Sequence, residues 1–229
     1  MPPTCWNMLL SCYIKHLATR ALAPEAEAAQ LADLRSEVGR RPARRMSALG
    51  MLLHRVLEGV DAGAYGRVVY TTTYTESGFI ERFLESFPQP SPMMFQSSIH
   101  PGGAEQVLIQ RQQGIRDFLP LAGQEQLIAS ALDHALLPDG EQVLWCGGEE
   151  RATWLTEAGL ASDRSFAFAL TLAPEPADAI GTLSWDRTAF SEDTTAIDNL
   201  SWFRLLEARE PGRWNLPGGG TLSLQWHDR

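Results

Sequence analysis

Few side chains in this sequence are of types able to form or break covalent bonds, and they are poorly grouped. Ser97, Ser98 and His100 lie within four positions of one another, and a hydroxyl beside an imidazole is the pairing used in acyl transfer and ester hydrolysis. No G-x-S-x-G elbow is present, and a serine two or three residues from a histidine along the chain does not make a triad. These groups are read as helix caps. Cys146 closes the apolar run 142–146 (QVLWC) with no histidine near it, and reads as a buried, unreactive thiol. A small acyltransferase or thioesterase using Cys146 or Ser97/Ser98 is the alternative these residues leave.

Metal and phosphate chemistry find less. His16, His54, His100, His134 and His227 have no metal-ligand spacing, and Cys5, Cys12 and Cys146 have neither disulfide nor zinc spacing. No cofactor is implied, and a reducing cytoplasm is the expected compartment. Gly218, Gly219 and Gly220 precede a strand instead of joining a strand to a helix, so they read as a turn and not a phosphate cradle. Glu149 and Glu150 read as the solvated start of a helix.

Charge narrows the partners. The net charge is -9 over 229 residues, which excludes a general nucleic-acid binder. The local exception is Arg40, Arg41, Arg44 and Arg45, read as a solvated lead-in to a helix that also offers a docking patch for an acidic protein. The apolar stretch 5–14 is stopped by Lys15 and His16, well short of the roughly 20 residues of a membrane helix, so a buried first strand or helix is expected and no membrane span.

The elements that must position these residues follow from periodicity. Residues 22–38 form a solvent-facing helix. Met46, Leu49, Leu53, Val56, Leu57 and Val60 recur at spacings of three and four and give a second helix with one broad apolar stripe. Residues 67–74 (RVVYTTTY) have strand composition. A helix carrying Phe79, Ile80, Phe83 and Leu84 follows, stopped by the prolines of 87–92. A helix through Val107, Leu108 and Arg111 leads to a short strand at 115–121 and then, after Gly123, to a buried helix. A turn at Pro138, Asp139 and Gly140, a strand at 142–146, a helix around 149–159 and a strand at 166–172 come next. Residues 173–195 read as a surface excursion, and a helix at 199–208 and a strand at 221–226 close the chain. This alternation implies a layered α/β domain.

Residues 44–137 carry an ordered set of landmarks: ARRMSAL before a helix, the strand RVVYTTTY, the run SPMMFQSSIH at 91–100, and the buried helix after Gly123. In order and separation they resemble the β-ketoacyl synthase-like N-terminal domain family of the thiolase-like group. Two departures stand out. Pro101 follows His100 where the family usually has Asn, and Glu105 sits where a glycine is usual. The resemblance implies a thiolase-like half domain spanning 1–229, layered α/β/α with a mixed sheet and a buried central helix.

It also implies what is missing. A ketosynthase forms a thioester on a cysteine at the start of that helix, where the helix end favours thiolate. The matching place here is Gln124, Glu125 or Gln126, none of which can form that thioester. The two histidines, or histidine and asparagine, that drive malonyl decarboxylation in that family come from a second half for which these 229 residues hold no room. The resemblance therefore points to a chain-length-factor-like subunit of aryl polyene type biosynthesis. Such a subunit pairs with a ketosynthase as a heterodimer or a dimer of heterodimers, and meets acyl carrier protein indirectly. Ile115, Phe118 and Leu119 would belong to a strand that joins the partner's sheet, and Met94, Phe95, Phe79 and Phe83 are candidates for its acyl tunnel. A third reading is self-association through the same strand.

Overall fold

A computed structural model describes residues 9–136, 141–189 and 191–227. The expected turn at Pro138, Asp139 and Gly140 lies outside them. The elements run β1 Leu9–Ala21, α1 Glu27–Val38, α2 Arg40–Ala43, α3 Ala48–Val56, β2 Arg67–Thr72, α4 Ser77–Glu85, α5 Pro92–Ser97, α6 Gly102–Gln110, β3 Phe118–Ala122 and α7 Leu127–Leu136. They continue with β4 Val143–Glu149, α8 Trp154–Glu157, β5 Phe166–Ala173, β6 Gly181–Asp186, α9 Asn199–Ala208, β7 Gly212–Asn215 and β8 Thr221–Trp226.

The strands form one eight-stranded sheet in the order β3-β2-β4-β5-β1-β6-β8-β7. β2 runs parallel to β3 and β4, and the remaining pairs are antiparallel, so the sheet is mixed. Side chains alternate between its faces. In β5 the large residues Phe166, Phe168, Leu170 and Leu172 face one side with Val143 and Trp145 of β4, covered by α7 and α9. The small residues Ala167 and Ala169 face the other side with Leu144 and Cys146, covered by α1, α3 and α6. The result is an α/β/α sandwich with a core on each face.

Small residues let α3 lie close. A Cβ on Gly148 would stand 2.8 Å from a Leu49 methyl and 2.2 Å from the Phe166 carbonyl, so this crossing needs glycine. Packing of this kind explains why Leu49, Leu52 and Leu53 are all fully buried, a broader burial than a one-sided stripe. On the opposite face Trp145 stacks on Trp202 of α9 at 5.1 Å, and its ring N–H donates to Thr71 Oγ1 at 3.1 Å.

Three stretches differ from the sequence-based expectations. Residues 173–195 are not a surface excursion: β6 sits inside the sheet between β1 and β8, with Leu183 and Trp185 buried. The helix expected at 149–159 shrinks to the single turn of α8, because β4 continues through Glu149. β3 begins three residues later than 115, and Ile115 packs instead against the α3–α6 core.

Candidate subunit-interaction site

Gln124, Glu125 and Gln126, the positions that the sequence resemblance sets against a ketosynthase nucleophile, fall at the junction between β3 and α7. Gln124, Glu125 and Gln126 are exposed there in a turn, and the helix starts at Leu127, whose N–H donates to Gln124 O at 3.0 Å. Behind the turn α7 is enclosed, with Leu127, Ile128, Ala131, Leu132 and Ala135 buried. Arg67 locks the junction: its Nε bonds Asp117 at 2.6 Å and its Nη1 donates to His134 O at 3.1 Å, tying β2, the approach to β3 and the last turn of α7 together.

β3 is the end of the sheet, with β2 on one side and no described strand on the other. Its anchors point inward. The Phe118 ring lies 6.5 Å from Tyr70, and Tyr70 in turn stacks on His100 at 5.4 Å. That stack ties the edge strand to the junction of α5 and α6.

Beside this junction the surface is apolar. Phe83 contacts Phe87 at 5.5 Å and Phe95 at 5.3 Å. Phe95 remains 53% exposed and Met93 54%, and Met94 is half-buried. Contiguous exposed apolar area of this sort marks interaction surfaces. Phe79, by contrast, is buried within this chain, its ring covered by the Arg82 guanidinium at 4.1 Å. Next to α5 and α6 lies an open groove of about 1240 Å³, lined by Met46, Met93, Ile99 and Ile109 and rimmed by Arg41, Arg44 and Arg45.

What holds α3, α4 and α6 in place was not legible beforehand. Glu149 and Glu150 are not a solvated helix start; Glu149 ends β4, Glu150 follows it, and each is 1% exposed. Glu149 accepts from the backbone N–H groups of Thr73 (2.5 Å) and Tyr74 (3.0 Å), the Thr72 hydroxyl (3.0 Å) and the Asn199 amide (2.6 Å). Glu150 accepts from Gly78 N–H (2.6 Å) and Leu49 N–H (3.3 Å), and Glu76 from Gly103 N–H (2.7 Å). These last three donors lie in the first turns of α4, α3 and α6, which have no intrahelical acceptor and a positive dipole end. Burial drives the carboxyls upward, Glu76 to about 8 and Glu149 to about 7, against the pull of those hydrogen bonds. Each carboxylate accepts from backbone N–H groups and is shielded from solvent, with Glu76 Oε2 left without a partner, so the three act as a clamp on the helix ends.

The other chemical candidates fall away on geometry. Cys146 is 1% exposed in the α3–α6 core, and burial pushes its thiol up to about 12. Ser98 donates to Phe95 O at 2.8 Å, and Ser97 is buried at the end of α5. Neither ring nitrogen of His100 has a hydrogen-bond partner, so no serine–histidine pair is formed here. No group of three potential ligands able to hold a metal ion occurs among the described residues. Among the same residues no helix is long and apolar enough to cross a membrane.

No protein-family model and no curated protein sequence matches the chain. Solved structures do. A chain of the ketosynthase (ApeO) in complex with its chain length factor (ApeC) from Xenorhabdus doucetiae aligns with a TM-score of 0.64 and 14% identity, over 95% of this chain and 100% of that one. The 3-oxoacyl-(acyl-carrier protein) synthase of Burkholderia xenovorans LB400 aligns with a TM-score of 0.38 at 11% identity, over 78% of this chain and 54% of that one. The 3-oxoacyl-(acyl carrier protein) synthase III, FabH, of Pseudomonas aeruginosa PAO1 gives 0.35 at 18% identity, over 82% and 62%. The chain thus spans about half to three-fifths of those two enzymes. Its architecture is thiolase-like.

Proposed function

We propose that this chain is a non-catalytic, chain-length-factor-like subunit that pairs with a ketosynthase in carrier-protein-dependent synthesis of polyene or fatty acyl chains. The observation that carries the reading is the β3–α7 junction. An edge strand that pairs with no described strand on its outer side leads through a short turn into a buried helix, and in this reading Gln124, Glu125 or Gln126 in that turn takes the place of a ketosynthase nucleophile. Glutamine and glutamate cannot carry an acyl thioester, yet they leave the fold and its edge intact. The likeness to a chain of a ketosynthase–chain length factor complex adds support, because the two chains are of like length.

Residues 1–229 act in this reading as one ketosynthase-like N-terminal domain. Its contact surface runs from Phe118 and Leu119 on β3 to the aromatic patch of Phe83, Met94 and Phe95. Phe118 turns its backbone groups to the open edge, Leu119 beside it ties the strand to β2, and Ile115 packs behind them against the core. Phe95 and Met94 supply side chains toward the partner's acyl tunnel, whose depth sets product length. Phe79 supports that patch from below. Acyl carrier protein is met chiefly by the ketosynthase, with Arg41, Arg44 and Arg45 offering a local cationic rim.

The test is co-expression of the tagged chain with the ketosynthase encoded nearest to it, followed by mass determination of what elutes. A one-to-one complex, or a dimer of such pairs, is expected. A well-folded chain eluting without the ketosynthase would overturn the reading.

A further inference from the structure

The outer edge of β3 is interrupted by Pro120, and the ladder to β2 fixes what that interruption does. Val68 stands opposite Phe118 and Thr72 opposite Ala122. Val68 N–H donates to Asp117 O at 2.8 Å, and Gly123 N–H donates to Thr72 O at 3.2 Å. The odd-numbered residues of this strand therefore turn their backbone groups toward β2, and Phe118, Pro120 and Ala122 turn theirs outward. Proline has no N–H. Its place here removes nothing from the β2–β3 ladder and one donor from the middle of the open edge. That edge presents the N–H groups of Phe118 and Ala122 and the carbonyls of Phe118, Pro120 and Ala122.

Antiparallel pairing uses both groups of each outward residue in exchange with the residue opposite. Two copies of this chain paired about a twofold axis bring two copies of Pro120. In every register that includes them, the pair forgoes two hydrogen bonds. A strand of different sequence, with an ordinary residue opposite Pro120, forgoes one, because its own N–H still reaches Pro120 O. We infer that Pro120 is a partner-selecting residue that sets the open edge of β3 against self-pairing and in favour of an antiparallel strand from a different chain. This rests on the proposed pairing with a ketosynthase for the identity of that strand, but the bias against a second copy of this chain stands on the ladder alone.

The arithmetic gives a test with two readouts. A net backbone hydrogen bond changes association about fivefold. Replacing Pro120 by Val restores two bonds to a self-pair and one to a mixed pair. Self-association of the Pro120→Val chain, measured alone by sedimentation equilibrium up to its solubility limit, should tighten about 25-fold, and binding to the ketosynthase about fivefold. Pro120→Ala serves as a second restoring variant, and circular dichroism with thermal unfolding verifies that both are folded. Ala122→Pro, which removes another outward donor, should weaken ketosynthase binding about fivefold. Unchanged self-association in both restoring variants, or equal tightening of the self and mixed pairs, would overturn the inference. If the wild-type chain fails to bind the ketosynthase, the proposed function falls, and the self-association of Pro120→Val still decides this point.

Discussion

The clamp at the ends of β2 and β4 makes a pH-dependent contribution to stability that one substitution should isolate. Glu76 is fully buried, and one of its oxygens accepts from Gly103 N–H while the other has no partner. Burial raises its carboxyl from the ordinary 4.5 to about 8. A carboxyl raised in the folded state binds its proton more tightly there than in the unfolded chain. Its stabilising contribution is therefore complete below about pH 4.5 and is lost as pH rises to about 8. About 3.5 pH units at 1.36 kcal/mol each amount to about 5 kcal/mol, or roughly 10–20 °C in Tm for a chain of this size. Glu76→Gln keeps an acceptor for Gly103 N–H and removes the titration. The variant should resemble wild type in urea unfolding at pH 5 and exceed it at pH 9 by an amount of that order. Two unfolding curves that stay parallel from pH 5 to pH 9 would refute the reasoning, since Glu76 would then have the same pKa folded and unfolded.

Other consequences are simpler to check. Trp202→Ala removes a fully buried ring stacked on Trp145 and should lower stability by about 3–5 kcal/mol in denaturant titration. Iodoacetamide at pH 8 should leave Cys12 and Cys146 unmodified in the folded protein and label both on unfolding, as read by peptide mass spectrometry, because burial pushes each thiol up to about 12. Gly220 has φ +102 and a Cβ there would lie 2.3 Å from the Trp185 ring. Gly220→Ala should therefore cost about 2 kcal/mol or more, measured by thermal melting. Phe95→Asp, which loses the contact with Phe83, should lower stability by only about 1 kcal/mol in denaturant titration, while weakening ketosynthase capture at least tenfold in a binding titration.

Local pattern accounts for much of what the sequence made legible. The three-and-four recurrence of Leu49, Leu53 and Val56 marks α3, and the apolar runs 142–146 and 166–172 mark β4 and β5, because central strands covered on both faces are apolar throughout. β6 was hidden for the opposite reason. Its sequence GTLSWD buries Leu183 and Trp185 while Thr182 and Ser184 are only half-buried, and prolines before it make the whole stretch resemble a loop. β1 was obscured by Lys15 and His16, which read as the end of an apolar run although the strand continues to Ala21, with an irregularity between Ile14 and His16. The carboxylate clamp was out of reach altogether. It depends on the N–H groups of Leu49, Gly78 and Gly103 arriving at Glu150 and Glu76 from three separate helices, and no spacing in the chain records that convergence. An acidic pair two glycines beyond the run 142–146 was the one available signal.

The central claim is that the outward groups of β3 are paired by a strand of the ketosynthase. Amide hydrogen exchange read at residues 118–122, in the chain alone and in the co-purified complex, addresses it directly. The outward N–H groups of Phe118 and Ala122 should exchange freely in the isolated chain and become strongly protected in the complex, with the Leu119 and Leu121 amides, already turned toward β2, protected in both. Equal exchange of the Phe118 and Ala122 amides in the two samples would contradict the account.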